Sequence, residues 1–436
     1  MNTSRLCLGL VVSFIVFSAS AANWPSWRGA NGDGVTSESN LPLKWDTTNS
    51  VRWKVALPGP GNSTPIVWGN KVFITQTVDK RRTLMCFDRA NGKLLWQQGP
   101  VYAEPEATHA TNPYCSASPV TDGERIIASF GSAGVYCYDL NGKELWKRDL
   151  GKQVHIWGHA ASPVIFGDLC YLNYGPGEKT FLVAMNKRTG ETVWQHNEPG
   201  GGAGNPEPNK KNTDIWIGSW SDPILRQVNG RDELIMTWPK RICAYDPKNG
   251  KELWTCDGLN PLVYTSPLYS DGIVVGMGGF NGSAAAVKAG GNGDVTATRL
   301  WQHPKTKQRI GSGVIYEGHI YILNDPGVAE CFELKTGKLV WEERIKGPGP
   351  TGQNWSSLMR SGDRLYALTQ GGDGIVFRAS PKFELLAINT LGAKEKSNSS
   401  VAVADGELFL RTHSHLWCIS EKKTTAASGQ PGVAAR

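Results

Sequence analysis

The sequence lacks the short motifs that mark many catalytic and nucleotide-binding sites. It contains no Gly-x-Ser-x-Gly, no Gly-Lys-Ser/Thr and no His-Glu-x-x-His segment, so the esterase, phosphate-loop and zinc-peptidase classes have no local support. It has no Cys-x-x-Cys-His segment either, which argues against a c-type haem. These absences favour a protein without a self-contained catalytic centre.

Long apolar runs are also scarce. The clearest run covers residues 6–17, after the charge of Arg5 and before the small residues 18–22. It is too short for a membrane-spanning helix, and the pattern predicts an export signal over residues 1–22. We therefore expect a periplasmic or secreted protein with no transmembrane segment.

Lysine and arginine are scattered rather than grouped into a stripe, although the formal net charge is +7. This distribution predicts a solvated surface and no nucleic-acid partner.

Glycine, proline and tryptophan are plentiful, with 51, 25 and 17 residues. Glycine serves tight turns and aromatic residues favour strands, so the composition favours an all-β protein. A strong self-similarity supports this class. One unit recurs, made of Ser-x-Pro, an apolar strand, an Asp-Gly-type turn, two further strands, Asn/Thr-Gly-Lys and a tryptophan. The units begin at Ser63, Ser118, Ser162, Ser221, Ser266, Ser312, Ser356 and Ser399.

The spacing of the units gives the architecture. Successive tryptophans from Trp96 to Trp341 are 50, 48, 60, 47 and 40 residues apart, a period that fits four short strands per unit. The last unit lacks its fourth strand, and an orphan strand of that type lies upstream at residues 51–55. We predict an eight-bladed β-propeller of four-stranded antiparallel blades over residues 51–420, closed by the N-terminal strand. An open solenoid is the alternative.

The remaining segments flank or interrupt this ring. Residues 23–50 form a leader, and residues 421–436 are predicted to be a disordered tail because they are small and polar. The Gly/Pro-rich insert at residues 199–214 is expected to overhang one rim of the propeller.

The repeat resembles a known family. Ser-x-Pro, Ala/Cys-x-Asp and Thr-Gly-Lys-x-x-Trp together resemble the quinoprotein-type repeat, called PQQ-like after pyrroloquinoline quinone. The leader sequence Trp-Pro-Ser-Trp-Arg-Gly at residues 24–29 resembles the start of exported PQQ-like propellers common in planctomycete-type bacteria. The resemblance implies that the repeat tryptophans dock on a neighbouring blade. These structural positions are Trp96, Trp146, Trp194, Trp254, Trp301 and Trp341.

Two branches of that superfamily imply different functions. Quinoprotein alcohol and glucose dehydrogenases use PQQ with calcium, and this chain departs from them because it has no adjacent Cys-Cys pair. The propeller lipoprotein that assists outer-membrane barrel assembly has no chemistry, and this chain departs from it by lacking a lipid-anchoring cysteine. The first interpretation is a non-enzymatic binding or scaffold propeller of the cell envelope with no cofactor. The alternative is a PQQ-dependent alcohol or sugar dehydrogenase with a divergent site.

Cysteines and histidines give little support to a metal or disulfide framework. Four cysteines, at positions 86, 137, 331 and 418, occupy one repeat position and are predicted to be small buried apolar residues. The other four mature-chain cysteines leave one disulfide open as an alternative. His155 and His159 lie in a Gly-containing connection, so helical ligand spacing does not apply. No metal site is predicted.

The segments that precede the innermost strands are rich in aromatic and polar residues. By topology they share one face and ring the central channel, where propellers bind ligands. We expect a small-molecule, carbohydrate or envelope-protein partner there, bound by a monomer. The alternative is that these side chains only pack on one another and plug the mouth. The candidates are His109, Asn112, Tyr114, His155, Trp157, His159, Trp216, Trp220, Tyr264, Arg309, Asn354 and Trp355.

Overall fold

The computed structural model describes residues 22–198, 217–279, 282–307 and 310–421. The predicted signal (except residue 22), the insert at 199–214 and nearly all of the predicted tail lie outside these ranges, as do Trp216 and Arg309. Within them the only helices are the single turns Gly131–Ala133 and Thr296–Thr298. None of the described helices is long and apolar enough to cross a membrane.

Eight antiparallel sheets confirm the predicted eight-bladed propeller. In blades 1 to 4 the strands, from the channel outward, are Ile66–Trp68, Lys71–Val78, Arg81–Asp88 and Leu94–Gln98; Val120–Thr121, Arg125–Ser129, Val135–Asp139 and Glu144–Arg148; Val164–Phe166, Leu169–Tyr174, Thr180–Asn186 and Thr192–Glu198; and Ile224–Val228, Arg231–Trp238, Arg241–Tyr245 and Glu252–Asp257.

Blades 5 to 8 repeat the arrangement. Their strands are Leu268–Ser270, Ile273–Met277, Ala284–Lys288 and Trp301–His303; Val314–Tyr316, His319–Asn324, Val328–Glu333 and Leu339–Arg344; Met359–Ser361, Arg364–Leu368, Asp373–Arg378 and Leu385–Thr390; and Ala402–Ala404, Glu407–Arg411, His415–Ser420 and Val51–Ala56.

Short strands also join parts of the fold that are distant in sequence. Each pairs in parallel with a second strand. These pairs are Val35–Thr36 with Met359–Ser361, Gly218–Ser219 with Leu262–Val263, and Gly293–Asp294 with Glu252–Asp257.

The ring closes as the sequence predicts. Val51–Ala56 pairs antiparallel with His415–Ser420, so the first long strand of the chain completes the last blade. This leaves no open sheet edge between the two ends of the described chain. The middle strands of each blade are buried on both faces, as in Lys71–Val78, because a neighbouring blade covers each side.

The repeat tryptophans lie between adjacent blades. The indole N–H of Trp146 donates to the carbonyl of Lys187 in the next blade at 2.9 Å, and its ring lies on Gly190. Gly190 has a φ of +75°, and a Cβ there would meet the indole ring. Four other predicted positions make the same type of indole-to-carbonyl bond to the next blade: Trp96, Trp194, Trp301 and Trp341.

Trp254 differs from this pattern. Its indole N–H donates at 2.8 Å to Glu233 of its own blade, while its ring lies in a hydrophobic cluster that includes Val287 of blade 5. The physical reason is that blade 5 has no Asn/Thr-Gly-Lys turn to offer the usual carbonyl, and its corresponding segment is the glycine-rich stretch at residues 290–293.

Candidate functional site

A closed ring of hydrogen bonds surrounds the central channel. At one aligned position of each blade, which directly precedes the proline in blades 1 to 5, the backbone N–H donates to the side chain at the same position of the next blade. The Asp222 N–H, for example, donates to Ser266 Oγ at 3.0 Å, and the Ser400 N–H returns to Thr64 Oγ1 at 3.0 Å. We call this the hydroxyl ring. Its members are Thr64, Ser118, Ser162, Asp222, Ser266, Ser312, Ser357 and Ser400.

A second layer stands two residues upstream. Side chains at positions i and i−2 of an extended segment point the same way. The residue two positions before each hydroxyl-ring member therefore also faces the channel. All of them line one cavity. We call this layer the upper ring. Its members are Asn62, Ser116, Ala160, Trp220, Tyr264, Ile310, Trp355 and Asn398.

The leader closes the opposite end of the channel. Trp24 bridges to Val67, and the Pro25 carbonyl accepts from the Thr121 N–H at 2.9 Å. These contacts lie three residues after the hydroxyl-ring positions, on the side away from the upper ring. Trp27 lines the cavity from that side, so the leader provides its floor.

Arg28 holds the leader in this position. Its guanidinium is almost fully buried, at 2% exposure, and donates to the backbone carbonyls of Gly313 and Asp33, each at 2.7 Å. A third donor reaches the carbonyl of Ser312 at 3.3 Å. Burial lowers the pKa of Arg28 to about 10. This value is still well above neutral pH, so the side chain stays charged.

The resulting cavity has a volume of about 410 Å³. Aromatic rings form much of its wall, from Trp27 at the floor to Trp220, Tyr264 and Trp355 in the upper ring. Trp220 and Tyr264 stack with ring centroids 4.8 Å apart. At the mouth, Asn62 and Asn398 each donate to the Thr111 carbonyl at 2.9 Å, which holds that connecting loop over the channel.

Asp222 is the acidic residue among the described lining residues. One of its carboxylate oxygens accepts the Ser162 N–H at 2.7 Å. Burial raises the pKa of Asp222 to about 8, although the Ser162 hydrogen bond and the nearby Arg28 charge oppose that shift. Burial therefore favours the protonated form of this carboxyl group.

Five of the predicted candidates meet at this cavity. Trp220, Tyr264 and Trp355 belong to the upper ring, and Trp157 and Asn112 lie at the mouth. The Asn112 amide donates to the Trp157 carbonyl at 2.6 Å, which fixes these two connections to each other.

The other described candidates do not line the cavity. His109 is exposed and packs on Trp157, with ring centroids 4.7 Å apart. His155 packs edge-on behind Trp220, and burial lowers its pKa to about 4. His159 lies in the same connecting segment, and its Nε2 is 3.3 Å from the Gln153 carbonyl oxygen.

Tyr114 and Asn354 have local structural partners. The Tyr114 hydroxyl donates to the Glu106 carbonyl at 2.6 Å, and its ring lies under the Arg82 guanidinium. The Asn354 amide donates to the Leu323 carbonyl at 2.9 Å. Trp216 and Arg309 lie outside the described ranges.

Several lining residues escaped the sequence interpretation. Trp27 belongs to the leader, which has no repeat partner to align it. Asn62 and Asp222 do carry a signal, because in blades 1 to 5 the upper-ring residue stands three positions before the proline and the hydroxyl-ring residue one position before it. The signal is weaker for Asn398, because its unit has Val401 in place of the proline.

Cysteine and acidic clusters elsewhere have structural explanations. The eight cysteines in the described residues are buried free thiols. His196, Glu198 and Glu252 come close enough to hold a cation, but the Arg241 guanidinium contacts Glu198 at 2.6 Å and Glu252 at 2.9 Å. Arg241 therefore already supplies the positive charge at this cluster.

Comparison with known families agrees with the propeller fold. The family model described as outer membrane protein assembly factor BamB, built on PQQ-type repeats, matches residues 34–153, 80–209 and 178–427. The chain belongs to this family. A tetrathionate hydrolase of Acidithiobacillus ferrooxidans is 23% identical over 290 residues, which is 66% of this chain and 45% of that protein. The match thus spans about half the length of that relative.

Solved structures share the fold. BamB from Moraxella catarrhalis superposes with a TM-score of 0.59 and 14% identity, over 86% of this chain and 98% of that one. Quinohemoprotein alcohol dehydrogenase from Comamonas testosteroni gives a TM-score of 0.64 and 12% identity, over 95% and 83%. At these identities the likeness concerns the fold alone.

Proposed function

We propose that this PQQ-type propeller is a non-enzymatic binding protein of the cell envelope that takes a small molecule, or a side chain of a protein partner, into its channel cavity. One observation carries the proposal: a cavity of about 410 Å³ with an aromatic wall and a floor supplied by Trp27. Such a concave, largely apolar site with a few polar groups is typical of ligand pockets. The export pattern of the sequence and the membership in an outer-membrane assembly family support the envelope location.

The lining chemistry favours binding over catalysis. The hydroxyl-ring oxygens already accept backbone N–H bonds from the neighbouring blade, as Ser266 does from Asp222. The histidines of this region, the buried His155 and the half-buried His159, do not line the cavity. The described lining therefore offers no hydroxyl paired with a histidine base, which nucleophilic catalysis would use.

The alternative function is a PQQ-dependent dehydrogenase, and the described lining residues suit its cofactor poorly. Calcium takes several oxygen ligands and prefers ionised carboxylates, whereas the described lining contains the single carboxylate of Asp222, whose pKa burial raises to about 8. The quinone itself carries carboxylates, and neither lysine nor arginine lines the cavity in the described part of the chain. These lining residues therefore do not fit the quinone and its calcium ion.

Ligand binding can be tested with a matched pair of variants. Trp355→Ala removes one aromatic wall of the cavity, whereas Trp68→Ala removes a half-buried indole that does not line it. The purified protein is screened by thermal shift against glycans, aromatic acids and quaternary ammonium compounds, and hits are titrated calorimetrically. We expect Trp355→Ala to weaken binding of a hit by about tenfold or more and Trp68→Ala to leave it unchanged. Equal affinity in the two variants, or no hit at all, would contradict the proposal.

A second assay separates the two functions. The protein is incubated with pyrroloquinoline quinone and Ca²⁺, and dye reduction with alcohols and sugars is followed together with bound-quinone absorbance. The proposal predicts neither signal. Quinone retained after desalting with dye reduction above the blank would favour the dehydrogenase.

A further inference from the structure

The hydroxyl ring is uniform except at one blade. Seven members are serine or threonine, and blade 4 carries Asp222. Its carboxylate does what a serine Oγ does elsewhere, since it accepts the N–H of the preceding blade, from Ser162. The Ser162 side chain also hydrogen-bonds to this carboxylate. A serine would suffice to accept the Ser162 N–H, so that bond alone does not require a carboxylate.

Two aromatic side chains of the upper ring belong to the blade of Asp222 and to the next blade. Trp220 stands two positions before Asp222, and Tyr264 stands two positions before its hydrogen-bond partner Ser266. The rings of Trp220 and Tyr264 are stacked, and both line the cavity with Asp222. Trp27 lies at the floor and Trp355 in blade 7 completes the aromatic wall. Aromatic faces around a carboxylate are the arrangement that attracts an organic cation.

The neighbouring charged groups leave Asp222 as the ionisable group that a ligand can meet in the described lining. Arg28 approaches it from the leader, but its donors are directed at backbone carbonyls and the residue does not line the cavity. His155, packed behind Trp220, is neutral above its lowered pKa of about 4. Burial raises the pKa of Tyr264, so its hydroxyl also stays neutral.

We infer that the cavity recognises an organic cation, a substituted ammonium group held between the aromatic rings with Asp222 as its counter-charge. The inference rests on the proposed binding function and names the class of its ligand. Binding of the cation would favour the ionised carboxylate, so the fixed positive charge of the ligand replaces the proton that Asp222 holds at neutral pH. A neutral sugar is the competing ligand class, because it also uses aromatic faces and hydroxyl partners.

The test compares two probes of the same shape. Choline carries a quaternary ammonium group, and 3,3-dimethylbutan-1-ol replaces its nitrogen by carbon. Both are titrated into the mature protein while tryptophan fluorescence is recorded. We expect choline to bind at least about tenfold more tightly than the alcohol.

Asp222→Ser is the matched variant, because it restores the residue type that the other blades carry and keeps an acceptor for the Ser162 N–H. It should bring choline to the affinity of the alcohol and leave the alcohol unchanged. Asp222→Asn, which keeps the size of the side chain, should behave alike. Variants that discriminate the two probes as well as the wild type does would overturn the inference.

The pH dependence gives an independent readout. Choline keeps its charge at every pH, so a change in its affinity reports on Asp222. Affinity should rise between about pH 6 and about pH 9 in the wild type and stay flat in Asp222→Ser.

The outcomes distinguish the inference from the proposed function. The cation inference is overturned, and the binding function stands, if choline and the alcohol bind in the cavity with equal affinity and no dependence on Asp222. The same holds if a neutral sugar binds there as tightly as choline does, again with no dependence on Asp222. If neither these probes nor the broader ligand screen yields binding that depends on Trp355, both are overturned.

Discussion

The indole N–H of Trp53 donates a 2.8 Å hydrogen bond to the carbonyl oxygen of Arg89. This bond joins the closing strand of blade 8 to the last turn of blade 1. The contact is reciprocal, because the Arg89 guanidinium reaches back to Asp405 at 2.8 Å and to Glu407 at 2.9 Å in blade 8. The two ends of the ring are therefore held by the Trp53 contact in one direction and by the ion pairs of Arg89 in the other.

Removing the aromatic contact should weaken the ring. Trp53 is buried, with its ring on Gly92 of blade 1. Trp53→Ala leaves a cavity at the closure and should lower the free energy of unfolding by about 3–5 kcal/mol. Trp53→Phe keeps most of the packing but loses the hydrogen bond, and should cost about 1–2 kcal/mol. Urea unfolding followed by circular dichroism measures both, and an unchanged midpoint for Trp53→Ala would contradict the closure.

The hydroxyl ring makes a second prediction about stability. Ser266→Ala removes the acceptor for the buried Asp222 N–H, so an unsatisfied donor should cost about 1–3 kcal/mol. Ser270→Ala, in the half-buried strand Leu268–Ser270 of the same blade, is the control and should change stability by less than about 0.5 kcal/mol. Comparable losses in the two variants would show that the ring bond is not what stabilises this position.

Arg28 is predicted to fix the leader. Arg28→Met leaves the carbonyls of Gly313 and Asp33 without their donor, which should cost about 2–4 kcal/mol. The leader should then become sensitive to limited proteolysis, whereas Lys44→Met, at an exposed position of the same leader, should leave the cleavage rate unchanged. A leader that resists protease equally in both variants would argue against this anchoring role.

The ionisation of Asp222 should also appear in the stability of the protein. The folded-state pKa of about 8 exceeds the ordinary value of 3.8, so the folded state binds more protons than the unfolded state between these two values. Stability therefore falls as pH rises from about 4 to about 8. Relative to the wild type, Asp222→Asn should gain stability as pH rises over that window. A stability difference between the two proteins that does not change with pH would contradict the raised pKa.

The eight-bladed ring could be predicted from the sequence because the evidence repeats. Each Ser-x-Pro and each glycine turn is weak alone, but the shared register and the displaced strand at residues 51–55 fix the closure. Trp254 packs against the next blade as predicted, but its hydrogen-bond partner could not be predicted by the same logic, since that partner depends on a turn that blade 5 has lost. The hydrogen-bond acceptor of a repeat tryptophan thus depends on the sequence of the next blade and not only on the position of the tryptophan in its own repeat.

The site could be predicted in part, for reasons of strand geometry. Trp355 and Asn354 are adjacent, so their side chains point to opposite sides of an extended segment. Only Trp355 is in phase with the hydroxyl ring and faces the cavity, whereas Asn354 bonds backbone carbonyls. Trp27 required the structure, because nothing in the repeat indicates that the leader crosses the channel.

The most direct test of the account is a crystal structure of residues 23–436 soaked with a mixed library of choline analogues, flat aromatic compounds and small sugars. We predict density for at least one compound between Trp220, Tyr264 and Trp355, above Trp27. An empty cavity in crystals that bind the same compounds elsewhere, or nowhere, would contradict the claim that this channel is a ligand site.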